Sequence, residues 1–146
     1  MANEQSASSS AVPTPARGIL PYALGFLAFI PAPVISVIIA GIVMVAVFPA
    51  QNKKGGIVAE NSRRAANWGL TIIAAMLLIL ASLAVLGLIF PGRRGFFPMG
   101  IPILLYVIFA VTHVSVCIMG IIKAHAGEAF DNRLAIPFLK ADRPQR

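Results

Sequence analysis

Charge is excluded from three long stretches of this 146-residue chain. No Asp, Glu, Lys or Arg occurs between Arg17 and Lys53, from Ala65 to Gly92, or from Gly95 to Ile122, giving uncharged runs of 35, 28 and 28 residues. A hydrocarbon core of about 30 Å is crossed by roughly 20 helical residues. A helix on the surface of a water-soluble domain needs a polar face instead. The runs therefore predict an all-α integral membrane protein. Composition agrees, with only 12% charged residues against roughly 25% in soluble domains, and the length allows one domain.

The first run is too long for one straight crossing and contains Pro31-Ala32-Pro33 near its middle. Paired prolines remove backbone donors and push their neighbours out of the α region. Two segments are expected here, about 19–30 and 34–48, forming a Pro-broken hairpin or one kinked span. Third and fourth segments are expected at about 67–90, closed by Pro91-Gly92, and 98–125. Together they make a four-segment helical bundle over 18–139, between a disordered polar N-terminus (1–17) and a polar tail (140–146). Gly55-Gly56 leads into a short interfacial helix that feeds the third span and sets Trp68 at headgroup level. The loop 50–66 and the tail after Ile122 lie on one side and carry nine basic residues, against Arg93 and Arg94 on the other. Basic loops mark the cytoplasmic face. A hairpin adds Arg17 to that face, giving ten against two, so the hairpin with both termini cytoplasmic is preferred. The expected location is the bacterial plasma membrane.

A net charge of +7 raises the possibility of nucleic acid. The basic residues instead flank or follow the spans, with no interleaved aromatics for base stacking. The partners they predict are the lipid bilayer and its anionic headgroups, with no nucleic acid. The single cysteine, Cys117, lies in an apolar run and permits no disulfide within the chain. The acidic Glu4 and the absence of a basic region before Gly18 argue against a signal peptide.

Residues able to do chemistry are few. No charged side chain falls within a span, which counts against a proton relay or ion pump. His113 is the possible intramembrane polar site. It shares a helix face with Cys117 and approximately with Thr112, Ser115 and Gly120, and is either a hydrogen-bonded packing residue or a metal, haem or proton-responsive group. Ser36-x-x-x-Ala40 and Gly120-x-x-x-Ala124 place small residues where helix backbones can approach. No phosphate loop, nucleophile elbow, Cys-x-x-Cys or His-Glu-x-x-His is present. No catalytic residue, cofactor or metal ligand is expected, and Glu60, Glu128 and Asp131 read as interfacial ion-pair partners.

Two segments resemble a known family. Val58-Ala59-Glu60-Asn61-Ser62-Arg63-Arg64-Ala65-Ala66-Asn67-Trp68 resembles a junction with valine and acid before a span opening on Ala-x-Asn-Phe. Ile121-Ile122-Lys123-Ala124-His125-Ala126-Gly127-Glu128, followed by Leu134-Ala135-Ile136-Pro137-Phe138-Leu139, resembles an ending with Lys-Ala-x-x-Gly-Glu and a Pro-Leu-x-Ile-x-Phe. Both are similar to the Tic-twenty-like small bacterial membrane proteins, over about Pro21 to Leu139. The chain departs from that pattern at Asn61, where the family has histidine, and at Asn132-Arg133, where it has Tyr-Pro. The resemblance implies a four-helix bundle with cytoplasmic termini and membership of a multi-subunit complex.

The two segments also suggest a docking surface of Glu60, Arg63, Arg64, Asn67, Trp68, Lys123, Gly127 and Glu128. In it Glu60 and Asn67 pair across the inner face with Lys123 and Glu128, and Gly127 caps the last helix. The leading functional reading is a non-enzymatic accessory or scaffold subunit of a larger membrane complex, of translocation, transport or respiratory type, with other membrane proteins as partners. The alternative is a homo-oligomeric pore or small-solute permease lined by Thr71, Thr112, His113 and Ser115. A third is a haem-binding subunit using His113.

Overall fold

The computed structural model describes residues 17–29, 33–92 and 95–140. Among these the chain is helical, with no strand. Helix α1 (Leu20–Leu24) tightens into a 3-10 segment (Gly25–Phe29), followed by α2 (Pro33–Ala46), α3 (Phe48–Asn52), α4 (Gly56–Ile89) and α5 (Gly100–His125).

Three stretches are long and apolar enough to cross a membrane: Val34–Asn52, Gly56–Ile89 and Gly100–His125. The apolar stretch Leu20–Phe29 is shorter. At the rise of the two helix types it extends about 17 Å, well short of a 30 Å core. The four expected segments are thus present among the described residues as three candidate spans and one short apolar stretch. Of Pro31-Ala32-Pro33, the first two residues lie outside the described ones and Pro33 opens α2. Residues 1–16 and 141–146, expected to be disordered and polar, also lie outside them. The apolar segment expected to end at Phe48 runs on through Pro49 at the start of α3 to Asn52.

The largest difference from expectation is α4. The polar stretch before the third span is not a separate interfacial helix but the first third of a 34-residue helix. Beyond Gly56 nothing interrupts helical hydrogen bonding, and Glu60 pairs with Arg63 and Arg64 one turn on, a spacing that supports a helix. Such a helix is about 51 Å long, so its polar third, with Glu60, projects beyond a span that begins near Asn67.

Helices α2 and α4 form the tightest crossing. A Cβ on Gly69 would lie 2.7 Å from the Gly41 carbonyl oxygen, and one on Gly41 2.9 Å from that of Gly69. Only glycine at both positions allows this approach, which maximises dispersion contact where lipid offers no hydrophobic drive. The crossing lies beside Ser36 and Ala40, both buried, while Gly120 packs against the Tyr22 ring. Around it the core gathers Tyr22, Val37, Met44, Trp68, Ile72 and Met76. Buried positions on α4 run from Val58 to Ile79 and stop there. Beyond, Leu80, Val85, Leu88 and Ile89 are exposed, as are Ile101, Leu104, Ile108 and Val111 on α5. These belts suit lipid, since an apolar surface of this extent is foreign to soluble monomers.

Helix α5 ends in a Schellman cap. Gly127, at φ +78°, donates its N–H to the Ala124 carbonyl, and Glu128 donates to that of Lys123. The left-handed turn reverses the chain and sends residues 128–139 back along α4 as an irregular strap with a turn at 132–135.

Candidate functional site

The strap is held by side chains of α4 that grip its backbone. Asn61, fully buried, donates through Nδ2 to the carbonyls of Arg17 (3.1 Å) and Glu128 (3.0 Å), and its Oδ1 accepts from Phe130 N–H at 3.1 Å. Asn67 repeats the pattern on Leu139, accepting its N–H at 2.7 Å and donating to its carbonyl at 3.1 Å. Thr71 Oγ1 accepts from Ile136 N–H at 2.9 Å, and Arg63 donates to the Leu139 carbonyl at 3.2 Å. Arg17 donates to the carbonyl of His125. A segment outside helix and sheet must place its amides elsewhere, and a carboxamide supplies both a donor and an acceptor. The strap leaves the level of Asn61, reaches that of Thr71 and returns to that of Asn67, a re-entrant course.

The charged residues arrange themselves around this clamp. Glu60 accepts from Arg63 at 2.6 Å and from Arg64 at 2.6 Å, and Arg64 reaches across to Asp131 at 2.9 Å. Partial burial works against ionising Glu60. The hydrogen bonds and charges of the two arginines outweigh it and hold the carboxyl below its ordinary range. Lys123 pairs with Glu128 at 2.7 Å, across the helix cap.

The structure therefore brings Glu60, Arg63, Arg64 and Asn67 together with Gly127, Glu128 and the strap. It does not pair Glu60 and Asn67 across the face with the Lys123 and Glu128 side chains as expected: Glu60 bonds Arg63 and Arg64, Asn67 bonds the Leu139 backbone, and Lys123 bonds Glu128. Each of those charges finds a nearer partner within its own segment, at lower cost in side-chain entropy. Asn61, Thr71, Arg17 and Asp131 were missing from the expected surface. Their signal was weak, because a helical asparagine or threonine reveals a backbone partner only when the other segment is in place. Trp68 is also displaced from its expected setting. It is 1% exposed, not a headgroup anchor, because its indole N–H is used inside the bundle.

That use is the buried polar contact of the spans. Trp68 Nε1–H donates to His113 Nδ1 at 3.1 Å, with the rings stacked at 6.4 Å. An indole nitrogen can only donate, so Nδ1 must accept and the proton sits on Nε2. Nε2–H then donates to the Gly25 carbonyl at 2.9 Å, with Cys117 Sγ 3.7 Å away. Both ring nitrogens of His113 are engaged, and a ligand on either would displace one of these bonds. Thr71, Thr112 and Ser115 direct their hydroxyls to carbonyls of their own helices. Ser115 is exposed while Thr71 and His113 are buried, so these four residues do not share one stripe.

Three cavities flank the strap among the described residues. One of about 640 Å³ is bordered by Phe48, Asn52, Glu60, Arg63, Phe138 and Leu139, among others. A polar one of about 420 Å³ is bordered by Arg63, Arg64, Asp131, Asn132, Arg133, Ala135 and Pro137, among others. An apolar one of about 360 Å³ lies between α4 and α5, lined by Trp68, Thr71, Ile108, Phe109, Thr112, Leu134 and Ile136.

Comparison with known proteins corrects the resemblance drawn from the two motifs, since the family whose model matches is not the Tic-twenty-like group. No curated protein and no solved structure matches the chain. The matching model covers residues 17–139, from the arginine that bonds the end of α5 to the last clamped residue of the strap, and the chain belongs to the family it describes, the magnetosome magnetite crystal formation protein family.

Proposed function

We propose that this small membrane protein takes part in magnetite crystal formation as a non-enzymatic accessory subunit, docking other membrane proteins on its polar platform. The family match over 17–139 supplies the process. The observation that carries the docking role is the clamp: Asn61 and Asn67 hold residues 128–139 by their backbone. Their side chains are thereby presented on a surface that needs no ordering when a partner arrives, which favours binding. The non-enzymatic reading is supported by the occupation of His113, Glu60 and Lys123 in internal bonds. The orientation that follows has the platform and both termini in the cytoplasm, with the N-terminal segments as a hairpin. Support comes from the basic residues gathered at that end and from the contact of Arg17 with the end of α5.

The test is deletion and complementation in a magnetite-forming bacterium, with crystal dimensions measured by electron microscopy. Deletion is expected to change crystal size or shape, and the wild-type chain to restore it. The double variant Asn61→Ala, Asn67→Ala is expected to reach the membrane without restoring it. Unchanged crystals in the deletion strain would remove the proposed role. Purification in mild detergent that always gives a lone monomer would remove the docking role.

A further inference from the structure

We propose that the flank of the strap is a binding site for one anionic diacyl phospholipid, with the phosphate at the polar cavity and an acyl chain in the apolar cavity beside Trp68. The proposal does not depend on the role in crystal formation.

The strap turns at residues 132–135, and its successive residues border different cavities. Ala135 and Pro137 border the polar one, while Leu134 and Ile136 border the apolar one. The two lie at different depths along α4. Arg64 marks the first and Thr71 the second, seven residues further, or about 10 Å along the axis. The headgroup layer is roughly 5–8 Å thick on each side of the hydrocarbon, so this offset suits a phosphate above and a chain below.

The polar cavity has the chemistry of a phosphate site. Arg64 lies at its edge, and Arg133 makes no ion pair among the described residues. Asn132 adds an independent observation. Its Oδ1 accepts from Leu134 N–H at 3.1 Å, which fixes the carboxamide. Its Nδ2 is left buried with no acceptor. A buried donor without a partner is unfavourable, and a phosphate oxygen in this cavity would satisfy it. The charge of the whole end agrees. Among the described residues it carries eight basic side chains, from Arg17 to Lys140, against Glu60, Glu128 and Asp131. Basic pockets at the membrane face select anionic headgroups. The apolar cavity excludes the headgroup alone as an occupant that fills the site, since its lining offers a phosphate nothing.

Trp68 is the only tryptophan in the chain and lines the apolar cavity, so its fluorescence reports occupancy directly. The full-length protein is reconstituted in phosphatidylcholine vesicles containing a few mole per cent of phosphatidylglycerol brominated on its acyl chains. Quenching of Trp68 is expected to exceed, by at least threefold, that from brominated phosphatidylcholine at the same mole fraction. Arg133→Gln should bring the two lipids to equal quenching. So should Asn132→Asp, which keeps the acceptor for Leu134 but puts a carboxylate at the orphaned donor. Thr112→Phe, which fills the cavity at a half-buried position, should abolish the excess as well. Trp68 emission in unbrominated vesicles confirms the fold of each variant. Equal quenching by the two lipids in the wild-type protein overturns the proposal, as does an excess that survives all three substitutions. Displacement of the excess by glycerol 3-phosphate as readily as by unbrominated phosphatidylglycerol would assign the polar cavity to a soluble phosphate and overturn the lipid site.

Discussion

Trp68 and His113 face each other across α4 and α5, with the indole N–H donated to Nδ1 at 3.1 Å and the rings stacked at 15° to one another. The bond chooses the histidine tautomer and thereby directs Nε2–H at the Gly25 carbonyl 2.9 Å away. One side chain thus ties together the two long helices and the N-terminal 3-10 segment.

His113→Phe leaves the indole N–H and the Gly25 carbonyl without their partner. It should cost about 1–3 kcal/mol, read as a lower midpoint for loss of helical circular dichroism in a sodium dodecyl sulphate titration. Trp68→Phe combined with His113→Phe should cost less than the sum of the two single changes, because the orphaned donor is gone. Additive costs would show that the bond contributes nothing.

The helix crossing makes a sharper contrast. Gly69→Ala sets a Cβ 2.7 Å from the Gly41 carbonyl, whereas a Cβ on Gly87 meets only the end of Met99, at 3.9 Å. Gly69→Ala should destabilise by about 1–3 kcal/mol, the range of overpacked cores. Gly87→Ala should be neutral or slightly stabilising, since alanine is the better helix former. Thermal unfolding in one detergent compares them, and similar midpoints would count against the crossing.

Release of the strap is readable by proteolysis. Arg133 and Lys140 are trypsin sites on a non-helical segment whose opening is limited by the Asn61 and Asn67 bonds. Asn67→Ala should raise the cleavage rate near Leu139 by about tenfold for each 1.4 kcal/mol lost. Asn67→Asp, which keeps only the acceptor, should fall between. Cleavage as slow in Asn67→Ala as in the wild type would show that the bonds do not hold the strap.

The platform should also carry a pH signature. The Glu60 carboxyl is held below its ordinary range by Arg63 and Arg64. Its contribution is therefore complete above the ordinary carboxylate value and disappears as pH falls through the lower folded value. Stability measured from neutral pH downward should lose this increment between the ordinary carboxylate value and the lower folded one, and Glu60→Gln should flatten that part of the curve. An unchanged acid limb in Glu60→Gln would assign the dependence to other carboxylates. The pair is half-exposed, so added salt should diminish its effect.

The membrane character was legible because it depends on composition over long runs. The uncharged stretches mark the apolar helices whatever their partners. The end of α5 was legible too, since Gly127 is the residue a left-handed cap requires. That the segments around Glu60–Trp68 and Lys123–Leu139 pack together could also be read, although the family inferred from them was wrong. Short polar patterns around a span recur between families, and only a match along 17–139 distinguishes them.

What the sequence by itself determined was thus local or additive: apolar runs and a glycine cap. Tertiary structure decided which polar groups meet. Trp68 carries the residue type of an interfacial anchor, yet it lies in the core because His113 lies opposite it on a helix 45 residues away. Glu60 could have paired with Lys123, but Arg63 and Arg64 were nearer. Asn61, read from the sequence only as a departure from a family pattern, became the anchor of three backbone bonds because the strap arrives beside it. Residue type states what a side chain can bond, and only the packed chain places the partner within reach.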